Sequence, residues 1–87
     1  MITVEKINDT TFKVIVQGHT TTHHEVTVSP DYYQKLTKGK VSAEALVEQS
    51  FEFLLQRESN NSILTTFDLP VIGRYFPDYE STIKTMI

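Results

Sequence analysis

Thr11-Phe12-Lys13-Val14-Ile15-Val16-Gln17 is the stretch whose reading decides the fold. Phe12, Val14 and Val16 fall on one side of an extended chain; Lys13, Ile15 and Gln17 fall on the other. This period of two marks a half-buried strand. Turn chemistry bounds it on both sides. Asn8-Asp9-Thr10 precedes it, with side chains that bond their own backbone. Gly18-His19-Thr20-Thr21 follows it, opening on a residue free to take positive φ. Upstream, residues 2–7 alternate Ile2 and Val4 with Thr3 and Glu5. Downstream, residues 22–29 set His24, Val26 and Val28 against His23, Glu25 and Thr27. Three such strands with short connections predict an antiparallel meander over residues 2–29. Ile15 lies on the more polar side of its strand and marks a contact with another subunit.

At Ser29-Pro30-Asp31 the period changes. Serine followed by proline opens a helix, expected over residues 30–36 with Tyr33 and Leu36 inward and Gly39 in the turn beyond. Ser42 is a good N-cap, and Glu44 sits in the first turn, where the helix dipole favours negative charge. Val41 and Leu46 occupy the staple positions around that cap. The helix is expected over residues 43–58. Leu46, Val47, Ser50, Phe51, Phe53, Leu54 and Leu55 cover about half its circumference. That is a wider arc than one sheet face needs, so this helix is expected either as the central helix of the domain or as partly a subunit interface.

Ser59-Asn60-Asn61-Ser62 reads as a loop. Ile63 and Leu64 return to the core, Asp68 reads as an N-cap, and Pro70 opens a short helix to about Phe76. Pro77 and Asp78 interrupt it before a last helix over residues 79–86. The fold expected is α+β: a single domain with a three-stranded antiparallel sheet (2–29) on a long helix (43–58), closed by short C-terminal helices.

The 87-residue chain is enough for one small core. It has no cysteine, which excludes disulfides, thiol catalysis and zinc ribbons. Residues 1–40 hold five lysines against four carboxylates (+1). Residues 41–87 hold three basic groups against seven acidic ones (−4). A nucleic-acid binder normally carries a basic field. Here the basic groups gather only at Lys35, Lys38 and Lys40, so nucleic acid is not the expected partner. No apolar run approaches the ~18 residues of a membrane span. The N-terminal residues do not form a basic stretch followed by an apolar one, so a cytoplasmic location is expected.

Chemistry-bearing residues are few. His19, His23 and His24 are the weak candidates for a metal, but neighbours on a strand point to opposite faces. At most one of His23 and His24 therefore joins His19, short of the three or four ligands a site needs. Glu44, Glu48 and Glu52 recur at i, i+4, i+8 and read as a solvated helix face. Neither a Gly-x-Ser-x-Gly elbow nor a glycine-rich phosphate loop is present, so no enzyme activity and no cofactor are expected. Arg74, Tyr75 and Tyr79, with Phe53, are the candidate interaction residues, because Tyr and Arg dominate binding hot spots.

Two resemblances add to this. Glu25-Val26-Thr27-Val28-Ser29, a helix opening at Pro30-Asp31, a turn holding Gly39 and a second helix opening at Ser42-Ala43-Glu44-Ala45 resemble, in outline, the ribbon-helix-helix repressors. The resemblance implies that Glu25, Thr27 and Ser29 read bases from a strand paired across a dimer axis, with Ser42 on a phosphate. The strand holds no Arg or Lys, which makes a DNA-binding regulator the second reading. The C-terminal half (residues 50–58, Ser62-Ile63-Leu64, Phe67-Asp68-Leu69 and Tyr75-Phe76-Pro77-Asp78-Tyr79-Glu80) is similar to a group of short bacterial proteins of no established activity. This implies a bacterial cytoplasmic protein. The leading expectation is a small non-enzymatic interaction or regulatory module that pairs with itself, as a homodimer, or with another protein.

Overall fold

The computed structural model describes residues 1–87. The meander is present. Strands β1 (Ile2–Lys6), β2 (Thr11–Gln17) and β3 (Thr21–Thr27) pair antiparallel in sequence order. Asn8 Oδ1 accepts the amides of Thr10 and Thr11 and so shapes the first turn. The register sets Val4 opposite Val14 and Val14 opposite His24. One sheet face therefore carries Phe12, Val14, Val16, His24 and Val26, all buried.

Helix α1 (Pro30–Thr37) starts where the Ser29 hydroxyl accepts the Tyr32 amide. Its inward residues are Tyr32, Leu36 and Thr37. The expectation for Tyr33 is corrected: the 32–36 spacing of four follows the helical turn better than 33–36, and Tyr33 is half-buried with its hydroxyl donating to the Val41 carbonyl (2.6 Å). Lys38 caps the helix in the left-handed region (φ 53°), and Gly39 follows at φ 78°.

Helix α2 (Ala43–Leu55) is capped as expected, with the Ser42 hydroxyl accepting the Ala45 amide (3.1 Å). It ends three residues before Glu58, where the Arg57 amide turns to the Leu54 carbonyl. Its broad apolar arc is used within the chain. α2 packs against both β1 and α4 (Tyr79–Met86). Leu46, Val47, Phe51 and Phe53 are fully buried. Of the two readings of this arc, the central helix is the one the structure bears out, and the subunit interface through it is corrected, because the arc is already covered.

The largest departure lies after α2. A 3₁₀ turn (Asn60–Ser62) leads into a fourth strand, β4 (Thr66–Asp68), which runs parallel to β3. The sheet is four-stranded and mixed, in the order β1-β2-β3-β4, and not three-stranded and antiparallel. Asp68 is an exposed member of β4, not an N-cap; α3 (Val71–Tyr75) starts after Pro70 without a side-chain cap. Eighteen apolar residues form one core cluster between the sheet and the helices, so the fold class is α+β. No helix is long and apolar enough to cross a membrane.

Candidate functional site: an apolar groove beside α3

The segment that follows α2 is fixed by a buried polar relay. His24 is 3% exposed and stands 5.3 Å from the Phe51 ring. Its Nδ1 lies 2.7 Å from the Leu64 carbonyl and its Nε2 lies 2.8 Å from the Thr22 hydroxyl. A carbonyl only accepts, so Nδ1 carries the proton. In the neutral ring Nε2 then accepts from Thr22. Asn60 Nδ2 donates to the Thr22 hydroxyl (3.1 Å) and to the Thr20 carbonyl (2.9 Å). Every buried side-chain polar atom in the protein has a partner. The relay holds residues 60–64 against β3, and the Glu25 amide donates to the Thr65 carbonyl beyond it.

Held there, Ser62, Ile63 and Leu64 line a groove of about 400 Å³. Leu54 in the last turn of α2 and Glu58, three residues beyond the helix, line it as well. Phe67 of β4 and Val71, Ile72, Tyr75 and Phe76 of the α3 segment complete the lining. Eight of the ten lining residues are hydrophobic, and the volume falls within the range of ligand clefts. Tyr75 is 67% exposed and Leu64 is 47% exposed. Leu64 was expected in the core, but the strand that follows turns Ile63 inward and Leu64 out. Glu58 lines the groove and takes part in no ion pair. Arg57 beside it is committed elsewhere: its guanidinium lies over Phe53 (3.6 Å) and donates to the Phe53 carbonyl and to Asp78.

Of the expected interaction residues, Tyr75 lines this groove and Arg74 is exposed next to it on α3. Phe53 and Tyr79 are corrected: both are fully buried and meet each other at 5.3 Å. Tyr79 is an internal strut. The Ser50 hydroxyl donates to the Leu46 carbonyl, so the Tyr79 hydroxyl donates to Ser50 (2.7 Å). Burial pushes the Tyr79 phenol above its ordinary range, against the opposing effect of the Ser50 bond. Tyr32 makes a similar tie from α1 to α4, donating to Glu80 (2.8 Å). Burial first, and then that bond, raise the Tyr32 phenol. The same bond, with Lys35 at 3.3 Å, lowers the Glu80 carboxyl.

The remaining candidates disperse. His23 pairs with Ile15 on the opposite sheet face from His24, and His19 lies in the exposed β2–β3 turn. No three potential ligands stand close enough to hold a metal. Among the basic residues, Lys35 pairs with Glu80, while Lys38 and Lys40 meet Lys84 around a shallow depression where α1 and α4 both end. Cations there complement the carbonyl ends of two helices. The ribbon-helix-helix geometry is overturned. β3 has β2 on one side and β4 on the other, so it has no free edge for its twin. Glu25 lies opposite Lys13, Thr27 lies opposite Thr11, and Ser29 and Ser42 are occupied as helix caps.

Of the residues that line this groove, sequence reasoning had named Tyr75 as a candidate and had not named Glu58 or Leu64; Arg74 is not among them. No local pattern set Leu64 apart from Ile63: Leu64, Thr65 and Thr66 are all exposed between buried Ile63 and buried Phe67. Compared with known proteins, the chain matches no family model, no curated relative and no solved structure.

Proposed function

We propose that the protein is a non-enzymatic interaction module that takes a short apolar segment of a partner protein into the α3 groove. The carrying observation is that two exposed apolar side chains, Tyr75 and Leu64, line one apolar groove together with a carboxylate that makes no ion pair, Glu58. Isolated exposed apolar side chains are ordinary. Two that line one cleft of this size support a binding role for it. Glu58 sets the occupant's charge. A carboxylate beside apolar walls favours a lysine or arginine next to the apolar anchor, and residues 41–87 carry a net −4 that attracts such a segment from a distance.

Selection from a random-peptide display library tests this. Enriched peptides should share large apolar residues next to a basic one. Their binding should fall at least about tenfold in Tyr75→Ser, as for an interface anchor. It should fall less in Glu58→Gln, which removes only the charge. Enrichment of acidic peptides, or binding indifferent to Tyr75, would sink the reading.

A further inference from the structure

We infer that two copies of this chain pair edge to edge through β1, forming one continuous eight-stranded sheet. The inference is independent of the groove. It begins with the direction of the β1 backbone groups. Met1 exchanges two hydrogen bonds with Gln17 (both 2.9 Å), and the Ile7 amide donates to the Thr11 carbonyl (2.9 Å). Bonded and non-bonded pairs alternate in an antiparallel ladder. Thr3 and Glu5 therefore bond to β2 as well, and Ile2, Val4 and Lys6 turn their N–H and C=O groups away from it. β1 is the end of the sheet, so those groups face outward. The opposite edge, β4, is three residues long. β1 offers five, with neither proline nor bulge to blunt it.

The sequence of this edge is complementary to itself. A two-fold axis through Val4 sets Val4 opposite Val4 of the second copy, Ile2 opposite Lys6, Thr3 opposite Glu5 and Met1 opposite Ile7. The outward groups of Ile2, Val4 and Lys6 then make six inter-chain hydrogen bonds. Met1 and Ile7 are 83% and 54% exposed, two of the four large hydrophobic residues left in solvent. In this register they meet twice, at non-bonded positions where side chains approach most closely. Half-buried Ile15, opposite Thr3 on β2, extends the apolar strip. Neighbouring registers are worse. A shift of two residues one way sets Glu5 against Glu5. The other way, it sets Met1 against Glu5 and leaves Lys6 unpaired. In the favoured register Glu5 is already faced by Lys13 on its own sheet. This match of a strand to its own reverse is what selects a second copy over a foreign strand.

Sedimentation of the full chain up to millimolar concentration tests the pairing. The mass should rise from 10.0 kDa toward twice that value. Mixed labelled and unlabelled chains should give an inter-chain NOE between the Hα atoms of Thr3 and Glu5. Ile7→Glu, at an exposed position, should return the mass to that of one chain. Val4→Pro, which removes an outward N–H, should do the same. Tyr75→Ser should leave the dimer intact. A single-chain mass at millimolar concentration, inter-chain NOEs from another surface, or an unchanged dimer in Ile7→Glu would each overturn the inference.

Discussion

Residues 2–28 and residues 59–87 hold their places by different kinds of contact. In the meander each strand finds its partner across a short turn, and Asn8 secures one of those turns from three residues away or fewer. In the tail the fixing contacts are distant in sequence. His24 reaches Leu64 and Asn60 reaches Thr20, each 40 residues apart; Tyr79 reaches Ser50 across 29 and Tyr32 reaches Glu80 across 48. Local contacts close small loops and form early, whereas long-range ones reward the chain only once the sheet exists. The tail is thus the region expected to open first, and it carries most of the groove. A groove at the less stable end of a fold can change shape more readily than one in the sheet.

Phe51 is where the two regions meet, fully buried between His24 and Phe67. Phe51→Ala should cost about 3–5 kcal/mol and unfold both regions together in a denaturant titration. Next in size is His24→Leu, which leaves the Leu64 carbonyl without its donor and the Thr22 hydroxyl without its acceptor, while the Asn60 bond to Thr22 stays, at about 1–3 kcal/mol. Here the regions should separate. Amides of Glu25 and Leu69, which bond across the β3–β4 junction, should lose hydrogen-exchange protection while those between β1 and β2 keep it. Equal loss in both would show that the tail does not open by itself. Tyr79→Phe removes one buried hydrogen bond and should cost about 1 kcal/mol, read as a lower denaturation midpoint with an unchanged slope.

How far each region was legible follows from the same contrast. Alternation at Phe12, Val14 and Val16 is a local signal, and so are the serine caps at Ser29 and Ser42; all stand in the structure where the residues put them. β4 carried no such signal. Thr66–Asp68 is three residues long, too short for a period, and is a strand only because β3 offers it an edge. Asp68 looked like a cap because a cap is the local reading of aspartate two residues before proline. Phe53 and Tyr79 looked like a recognition surface because composition cannot tell a buried aromatic pair from an exposed one. In the groove, Tyr75 was legible as a hot-spot residue type. Glu58 was not, because its place at the cleft depends on α2 ending early.

The smallest expected effects come from pH, and they fall on the ties between α4 and the rest of the molecule. The folded state lowers the Glu80 carboxyl below its unfolded value of about 4.3. Its contribution is therefore present above that value and lost as the pH falls through the folded one. Glu80→Gln should flatten the acid limb of a stability–pH curve. Tyr32 and Tyr79 run the other way. Their phenols are raised, so their contribution is complete below about pH 10 and is lost as the pH climbs beyond it. Tyr32→Phe should flatten part of the alkaline limb, leaving the share of Tyr79.

The groove itself is tested most directly by methyl NMR of the full chain, titrated in parallel with n-hexylammonium and hexanoate. The two probes share an apolar chain and differ in charge. Binding beside Glu58 should shift the methyl signals of Leu54, Ile63, Leu64 and Val71 with the ammonium, much less with the carboxylate, and weakly with either in Glu58→Gln. Equal response to both probes, or shifts scattered away from those four residues, would contradict a groove built for an apolar segment with a positive neighbour.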